Sequence, residues 1–373
     1  MTLFPVVCLI VACGDPAPPP APDAAPTERG FELADVVAPV TAEELELAAA
    51  SWAAQDLTPQ GVVTEASGTT TFGAVTMNFR VLSHLVAGQR HYFAVLVPAG
   101  LTGPAPVLIY THGAYTGEGG FPYFAVEDLQ VRIPGQPIRG ELIYVVPSYR
   151  GERIRIANVT YTSEGAPQIG TTDVLDVATA LSVTLAETPQ ADPTRVGVFG
   201  ESRGGIVALA LGAQDDRIDL VIEAFAPTDF RIALAGVDAA TFAGSVMAAV
   251  ADPANPAHLL TRSLIPIDQV TVVDGALRIT TAGFADMRRR MSVTSALDAP
   301  LDLPALQVHH GTADTTSLVQ YSRVLRDVMA AAGRPSPSPA FTYFEYDGGG
   351  HDLGTLPGSI GRIGDAITLH LAP

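Results

Sequence analysis

An apolar run at residues 195–199 passes into Gly200-Glu201-Ser202-Arg203-Gly204-Gly205 and then directly into a small-residue run at 206–212. A strand that must become a helix within so few residues leaves few folds open, because the turn is sharp and its neighbours come close. Small residues two positions before and two after the serine let the backbone bend and let adjacent segments approach. Gly200 and Gly204 supply them. Such a turn presents Ser202 as a candidate nucleophile. It also puts the Arg203 N–H at a helix N-terminus, where partial positive charge can stabilise the oxyanion of a tetrahedral intermediate. The competing reading is a plain glycine-rich turn, since G-x-S-x-G also arises by chance.

The surrounding chain alternates. Strand-like segments at 107–110, 142–146, 196–199, 220–225, 306–309 and 341–346 are interleaved with helix-like segments at 172–187, 206–212, 318–332 and 359–371. This order predicts an α/β fold with a mostly parallel central sheet flanked by helices on both faces. Upstream, residues 69–85 and 90–97 are separated by Val86-Ala87-Gly88-Gln89, which predicts an antiparallel hairpin leading into the parallel strands. Thr41 and Glu44 form a capping box that predicts a helix over 41–56, packed outside the core. About eighty residues separate Phe225 from Ala305, more than a crossover helix requires. A helical lid insert is expected at about 231–303, with helix-like runs at 238–250 and 284–291.

A nucleophilic serine needs a base and a group to orient that base, and on this architecture they follow in the order serine, acid, histidine. Residues 304–310 read as a buried strand that runs into Gly311-Thr312-Ala313-Asp314, so Asp314 is the candidate acid. Residues 341–346 alternate like a strand and end in Asp347-Gly348-Gly349-Gly350-His351, so His351 is the candidate base. Asp229, after the strand at 220–225, is the alternative acid. His309 and His310 are the alternative bases, although their place at a strand's end suits packing or loop hydrogen bonds. Asp347 and Asp352 read as loop residues. Arg288, Arg289 and Arg290 could meet a substrate carboxylate, but a solvated helix face paired with nearby acids is the plainer expectation. Arg150 bears either on the site or on its own loop.

Tyr110-Thr111-His112-Gly113, Pro147-Ser148-Tyr149-Arg150-Gly151, the serine turn, and His310-Gly311-Thr312-Ala313-Asp314 with the glycine-led His351 together resemble the catalytic domain of the prolyl oligopeptidase family of serine hydrolases. The likeness runs from about residue 90 to the C-terminus. It implies an α/β-hydrolase fold, Ser202 as nucleophile, Asp314 as acid and His351 as base. It further implies oxyanion-hole donors at the Arg203 N–H and in the loop Gly113, Ala114 and Tyr115. The sequence departs from the family pattern at Ala114, usually a second glycine, and at Ser317, usually a valine. Peptidases of that family carry a β-propeller ahead of the catalytic domain, and the residues preceding the likeness here contain no blade-like repeats.

The formal net charge is −18. That makes nucleic acid an improbable partner, because phosphate contacts need a basic surface. No zinc-ligand spacing and no phosphate-binding loop occur, so neither a metal nor any other cofactor is expected. Residues 3–12 are apolar but too short to span a bilayer. Ile10-Val11-Ala12-Cys13 resembles a bacterial lipobox, which predicts a signal at 1–13, acylation at Cys13 and a Pro/Ala-rich tether at 14–30, with the catalytic domain at 31–373. The expected location is therefore the bacterial cell envelope, with membrane contact only through that anchor.

The expected chemistry is acyl transfer to water on a small ester or peptide substrate. A prolyl oligopeptidase-like peptidase and a carboxylesterase or lipase-like enzyme both fit. Acyl transfer to another nucleophile and a non-catalytic surface binding protein are the remaining alternatives.

Overall fold

The computed structural model describes residues 27–114, 123–234, 236–294, 297–298 and 300–372. The expected signal with Cys13, most of the tether, and Tyr115 lie outside these residues.

Among the described residues, nine strands form the central sheet: β1 (Val63–Phe72), β2 (Val75–Val86), β3 (Gln89–Pro98), β4 (Ala105–Thr111), β5 (Ile143–Pro147), β6 (Ala191–Glu201), β7 (Leu220–Ala224), β8 (Ala305–Gly311) and β9 (Phe341–Tyr346). Their order across the sheet is β9-β8-β7-β6-β4-β5-β3-β2-β1. Strands β4 to β9 run parallel, and β1 to β3 add an antiparallel edge. Every residue of β4, β5 and β7 is buried, as strands must be when both faces of a parallel sheet are covered.

Helices α1 (Thr172–Glu187), α2 (Arg203–Gln214), α3 (Gln320–Ala331) and α4 (Ser359–Leu371) supply that cover. Side-chain alternation along β4 decides which helix meets which residue. Val107 and Ile109 pack in a cluster with Val177, Leu211 and Leu325 of α1, α2 and α3. Leu108 and Tyr110, on the opposite face, pack with Ile363 and Ile367 of α4. The parallel strands all end at one rim, so the segments leaving β6, β8 and β9 emerge side by side.

Three expectations need correction. The segment 69–85 is not one strand: the chain reverses at Gly73-Ala74, with Phe72 paired to Val75, so β1 is an additional edge strand. The insert is not wholly helical. Alongside helices Phe230–Leu234, Ala239–Ala251, Leu259–Leu264 and Thr281–Val293 it carries a hairpin, Val270–Val273 with Ala276–Thr280. The hairpin turns on Asp274 and Gly275, both with positive φ, the conformation that a two-residue loop between right-twisted strands requires. Finally, the tether does not extend to residue 30, because Glu28–Gly30 adds as a third strand to that hairpin.

The insert has a core of its own, in which Phe31 and Val36 from the N-terminal segment pack with Phe242, Val246, Leu264, Ile279, Met287 and Met291. Arg288 is buried rather than solvated. Its guanidinium donates to both carboxylate oxygens of Glu44 (2.7 and 2.9 Å) and to the carbonyls of Asp35, Ala38 and Pro39. Glu44 also accepts the Thr41 N–H (2.9 Å), completing the capping box of helix Ala42–Ala53. Arg289 and Arg290 pair with Asp286.

Candidate active site

Ser202 sits between β6 and α2 with φ 54° and ψ −120°, a region that non-glycine residues occupy only when their surroundings hold them there. The hold is visible. The Ser202 N–H donates to the Ala224 carbonyl (2.9 Å), and the Thr111 hydroxyl donates to the Gly204 carbonyl (2.8 Å). A Cβ on Gly204 would lie 1.8 Å from the Thr111 carbonyl oxygen, and one on Gly200 would lie 2.2 Å from the Gly204 carbonyl oxygen. The turn closes only because neither residue carries a side chain.

Asp314 follows β8 in a tight turn. One carboxylate oxygen accepts the N–H groups of Thr316 (2.8 Å) and Ser317 (2.9 Å), leaving Oδ2 to accept from His351 Nδ1 (2.7 Å). His351 Nε2 lies 2.9 Å from the Ser202 hydroxyl. The structure thus joins the three residues in one hydrogen-bonded chain. The glycines before His351 explain the approach. A Cβ on Gly311 would be 2.2 Å from the Gly349 carbonyl oxygen, so the segment leaving β9 lies against the end of β8, and the Ala313 N–H donates to that same carbonyl (2.8 Å). Because Asp314 only accepts, Nδ1 of the neutral imidazole carries the proton and Nε2 is free to accept from Ser202. The Phe225 ring packs 4.6 Å from the His351 ring, centroid to centroid.

The alternatives occupy other places. His309 is bound by the Tyr346 hydroxyl (2.6 Å) and the Gln307 amide oxygen (2.9 Å). His310 is bound by Ser322 and by the Ser317 carbonyl, both at 2.7 Å. Asp229 is engaged by the backbone and guanidinium of Arg231. Asp352 caps a short turn through the Gly354 N–H, and Asp347 accepts from the Thr312 hydroxyl. The Arg150 guanidinium faces the first turns of α1, pairing with buried Asp176, and reaches Gln89 on β3.

Of the expected oxyanion-hole residues, Arg203 contributes the first amide of α2, which no carbonyl of its own helix can reach. Gly113 and Ala114 leave β4, the strand beside the elbow. The Arg203 side chain turns inward, donating to Glu152 and to Asp173 (2.6 Å), and its guanidinium carbon lies 4.4 Å from the centre of the Tyr149 ring. The Tyr149 hydroxyl in turn donates to the His112 carbonyl (3.0 Å). This buried network ties the elbow to the strand end that carries Gly113. Burial pushes the Asp173 carboxyl up to about 7 against the pull of Arg203, and holds the His112 imidazole down at about 4. Sequence reasoning missed Glu152 and Asp173, because nothing in their local pattern marks a partner 51 or 30 residues away. Among the described residues, no group of three or more His, Cys, Asp or Glu side chains could share a metal ion.

Residues 138–265 match the model of the prolyl oligopeptidase family, a stretch that holds the elbow but not Asp314 or His351. No curated protein sequence matches the chain. Among solved structures, an acetyl xylan esterase from Paenibacillus sp. R4 is 17% identical with a TM-score of 0.52, over 91% of this chain and 98% of that one. Acetyl xylan esterase 1 from Thermoanaerobacterium sp. JW/SL YS485 is 16% identical with a TM-score of 0.51, over 89% and 93%. A puromycin-hydrolysing peptidase from Mycobacterium tuberculosis is 15% identical with a TM-score of 0.48, over 84% of this chain but 48% of that one, so this chain spans about half its length. The chain has an α/β-hydrolase fold, and its residues 138–265 are similar to the prolyl oligopeptidase family.

Proposed function

We propose that this chain hydrolyses ester or amide bonds through an acyl-enzyme formed on Ser202, with His351 as base and Asp314 as the acid that orients it. One observation carries the reading: the unbroken hydrogen-bonded chain from the Ser202 hydroxyl through His351 to Asp314. His351 Nε2 takes the hydroxyl proton as Oγ attacks the substrate carbonyl carbon. Asp314 stabilises the imidazolium so formed. The tetrahedral oxyanion meets the Arg203 N–H and amides of the loop that begins at Gly113. Collapse expels the alcohol or amine with the proton from His351, and water repeats the steps on the acyl group.

The match to the prolyl oligopeptidase family favours a peptide-like substrate. A carboxylesterase is the second reading, favoured by a fold that spans nearly the whole length of two acetyl xylan esterases. In either case the insert serves as the lid that governs access, since its core includes Ile206 of α2 and Ala226 just past β7. A fluorophosphonate should label the wild type and fail to label Ser202→Ala. Equal labelling of both, or of neither, sinks the catalytic reading in favour of a binding protein. Comparing kcat/KM for short-chain esters with that for prolyl and aminoacyl amides then separates the two substrate classes: amide turnover matching ester turnover defeats the esterase.

The lipobox-like Cys13 supports a lipid-anchored protein of the bacterial cell envelope, with residues 14–26 as its spacer. Expressed in a bacterium, the wild type should partition with membranes and Cys13→Ser with the soluble fraction. Equal partitioning of the two removes the anchor.

A further inference from the structure

Asp314 is contacted from two sides. His351 approaches its Oδ2 from the loop after β9, and His310 approaches the same oxygen from β8, with Nε2 at 3.4 Å. His310 is itself fixed. The register of β7 on β8 sets Glu223 opposite Val308. His310 lies two residues further along, so Glu223 and His310 share one sheet face. Ser322 of α3 lies between them, with its hydroxyl 2.7 Å from His310 Nδ1 and 3.3 Å from Glu223 Oε1. All three side chains are fully buried.

The partners of His310 constrain its protons. His310 Nε2 lies 2.7 Å from the Ser317 carbonyl, which only accepts, so Nε2 carries a proton. Burial lowers the affinity of His310 for a second proton, so Nδ1 accepts from the Ser322 hydroxyl. The same hydroxyl also faces Glu223 Oε1 at 3.3 Å. Burial favours the neutral form of Glu223, pushing the group up to about 8, while its other oxygen accepts the Ala226 N–H (3.0 Å).

We propose that His310, held neutral and in one orientation by Ser322 and Glu223, is a positioning residue for Asp314, sharing its Nε2–H between the Ser317 carbonyl and the carboxylate that orients His351. The inference rests on the triad reading above. The shared proton clamps Asp314 from the strand side while Thr316 and Ser317 N–H groups clamp its other oxygen. Neutrality matters, because an imidazolium at residue 310 would compete with His351 for Oδ2. The other ionisable groups that bear on His310 are His351 and Glu345 of β9, and Glu345 is itself paired with Arg323 of α3.

The test compares His310→Leu and His310→Gln with the wild type in the full chain. It measures kcat and KM against pH on an ester that the wild type turns over, per active site titrated by phosphonate. His310→Leu should lower kcat about tenfold or more with KM little changed, because a misplaced imidazole costs the transition state rather than binding. It should also move the acidic limb of kcat/KM upward, since Asp314 then spends its whole charge on His351. His310→Gln puts an amide N–H near the position of Nε2 and should restore both. If His310→Leu does not fold, Ser322→Ala should shift the limb in the same direction by less. A labelled wild type with per-site kcat and acidic limb unchanged in these variants, or a loss that His310→Gln does not rescue, overturns this inference alone. A wild type that phosphonate does not label overturns the catalytic reading and this inference with it.

Discussion

Ser202 adopts its left-handed backbone because everything around it is already placed, and the constraint is sharpest at Gly204. Replacing Gly204 with alanine would drive a methyl group to 1.8 Å from the Thr111 carbonyl oxygen, a backbone atom that cannot rotate away. The elbow would have to separate from β4. Gly204→Ala should therefore lose roughly 3 kcal/mol or more, within the range of severe overpacking. Urea unfolding should show this as a lower midpoint at unchanged slope, and the folded fraction should react slowly with fluorophosphonate. Equal stability and equal labelling would mean the close approach is not what shapes the turn. This is also why the serine could be read from sequence at all: its glycines are steric requirements, and steric requirements leave residue types behind. Asp314 and His351 were legible for the same reason, each following a strand through small residues. Glu152, Asp173 and the role of His310 were not. His309 and His310 are adjacent and similar in sequence, yet alternation sends one to Tyr346 and Gln307 and the other to Ser322 and the Ser317 carbonyl. Which of them meets the acid depends on strand register and on a helix that starts ten residues later.

At the scale of elements, what was legible is what is buried on both sides. The helix read over 172–187 spans Thr172–Glu187, and β4 and β5 announce themselves as largely apolar runs, as does β7 apart from Glu223. Edge elements carry weaker signals. Nearly all of β1 is exposed or half-buried, so its threonines and serine alternate against solvent and leave no apolar stripe to read. The insert hairpin is a different kind of miss, because Asp274-Gly275 between Val270–Val273 and Ala276–Thr280 is a strong turn signal that the helix-like neighbours overshadowed. Val272 and Val273 at its tip are over 40% exposed, so burial alone would not have found it. Glu28–Gly30 had no side-chain signal, since its attachment is a backbone ladder to Ala276–Thr280. The consequence is mechanical. With that ladder and with Arg288 gripping Glu44 and four carbonyls, those of Asp35, Val36, Ala38 and Pro39, the segment leading in from the tether is built into the insert rather than into the central sheet.

Across the whole molecule, burial lowers the proton affinity of several histidines, and this shapes the response to acid. Burial holds His84 at about 2, His309 at about 3, and His91 and His112 at about 4. Each value lies below the ordinary 6.5. Between 6.5 and its folded value, each of these histidines binds a proton in the unfolded chain but not in the folded one. Stability then falls by about 1.4 kcal/mol per pH unit per histidine as acid is added. Three buried carboxyls act in the opposite direction. Burial raises Asp173 and Asp176 to about 7 and Glu223 to about 8, so the folded chain takes up those protons first and gains stability as the pH falls. Their gain ends near pH 4, where the unfolded chain protonates its carboxyls too. From about pH 6.5 to 4 the three acids offset three of the four histidines, leaving a loss of about 1.4 kcal/mol per pH unit, and from about pH 4 to 3 His84 and His309 destabilise unopposed by those acids at about twice that slope. The expected profile is shallow first and steep afterwards. His309→Gln isolates one proton from this sum, because the amide cannot titrate: whatever the variant costs at neutral pH, its stability should fall less steeply than the wild type's between pH 6.5 and 3, by about 1.4 kcal/mol per pH unit. Urea unfolding at half-unit pH steps measures the two slopes. Parallel curves would show that His309 is protonated in the folded chain, and would remove the argument that this core excludes charge from its histidines.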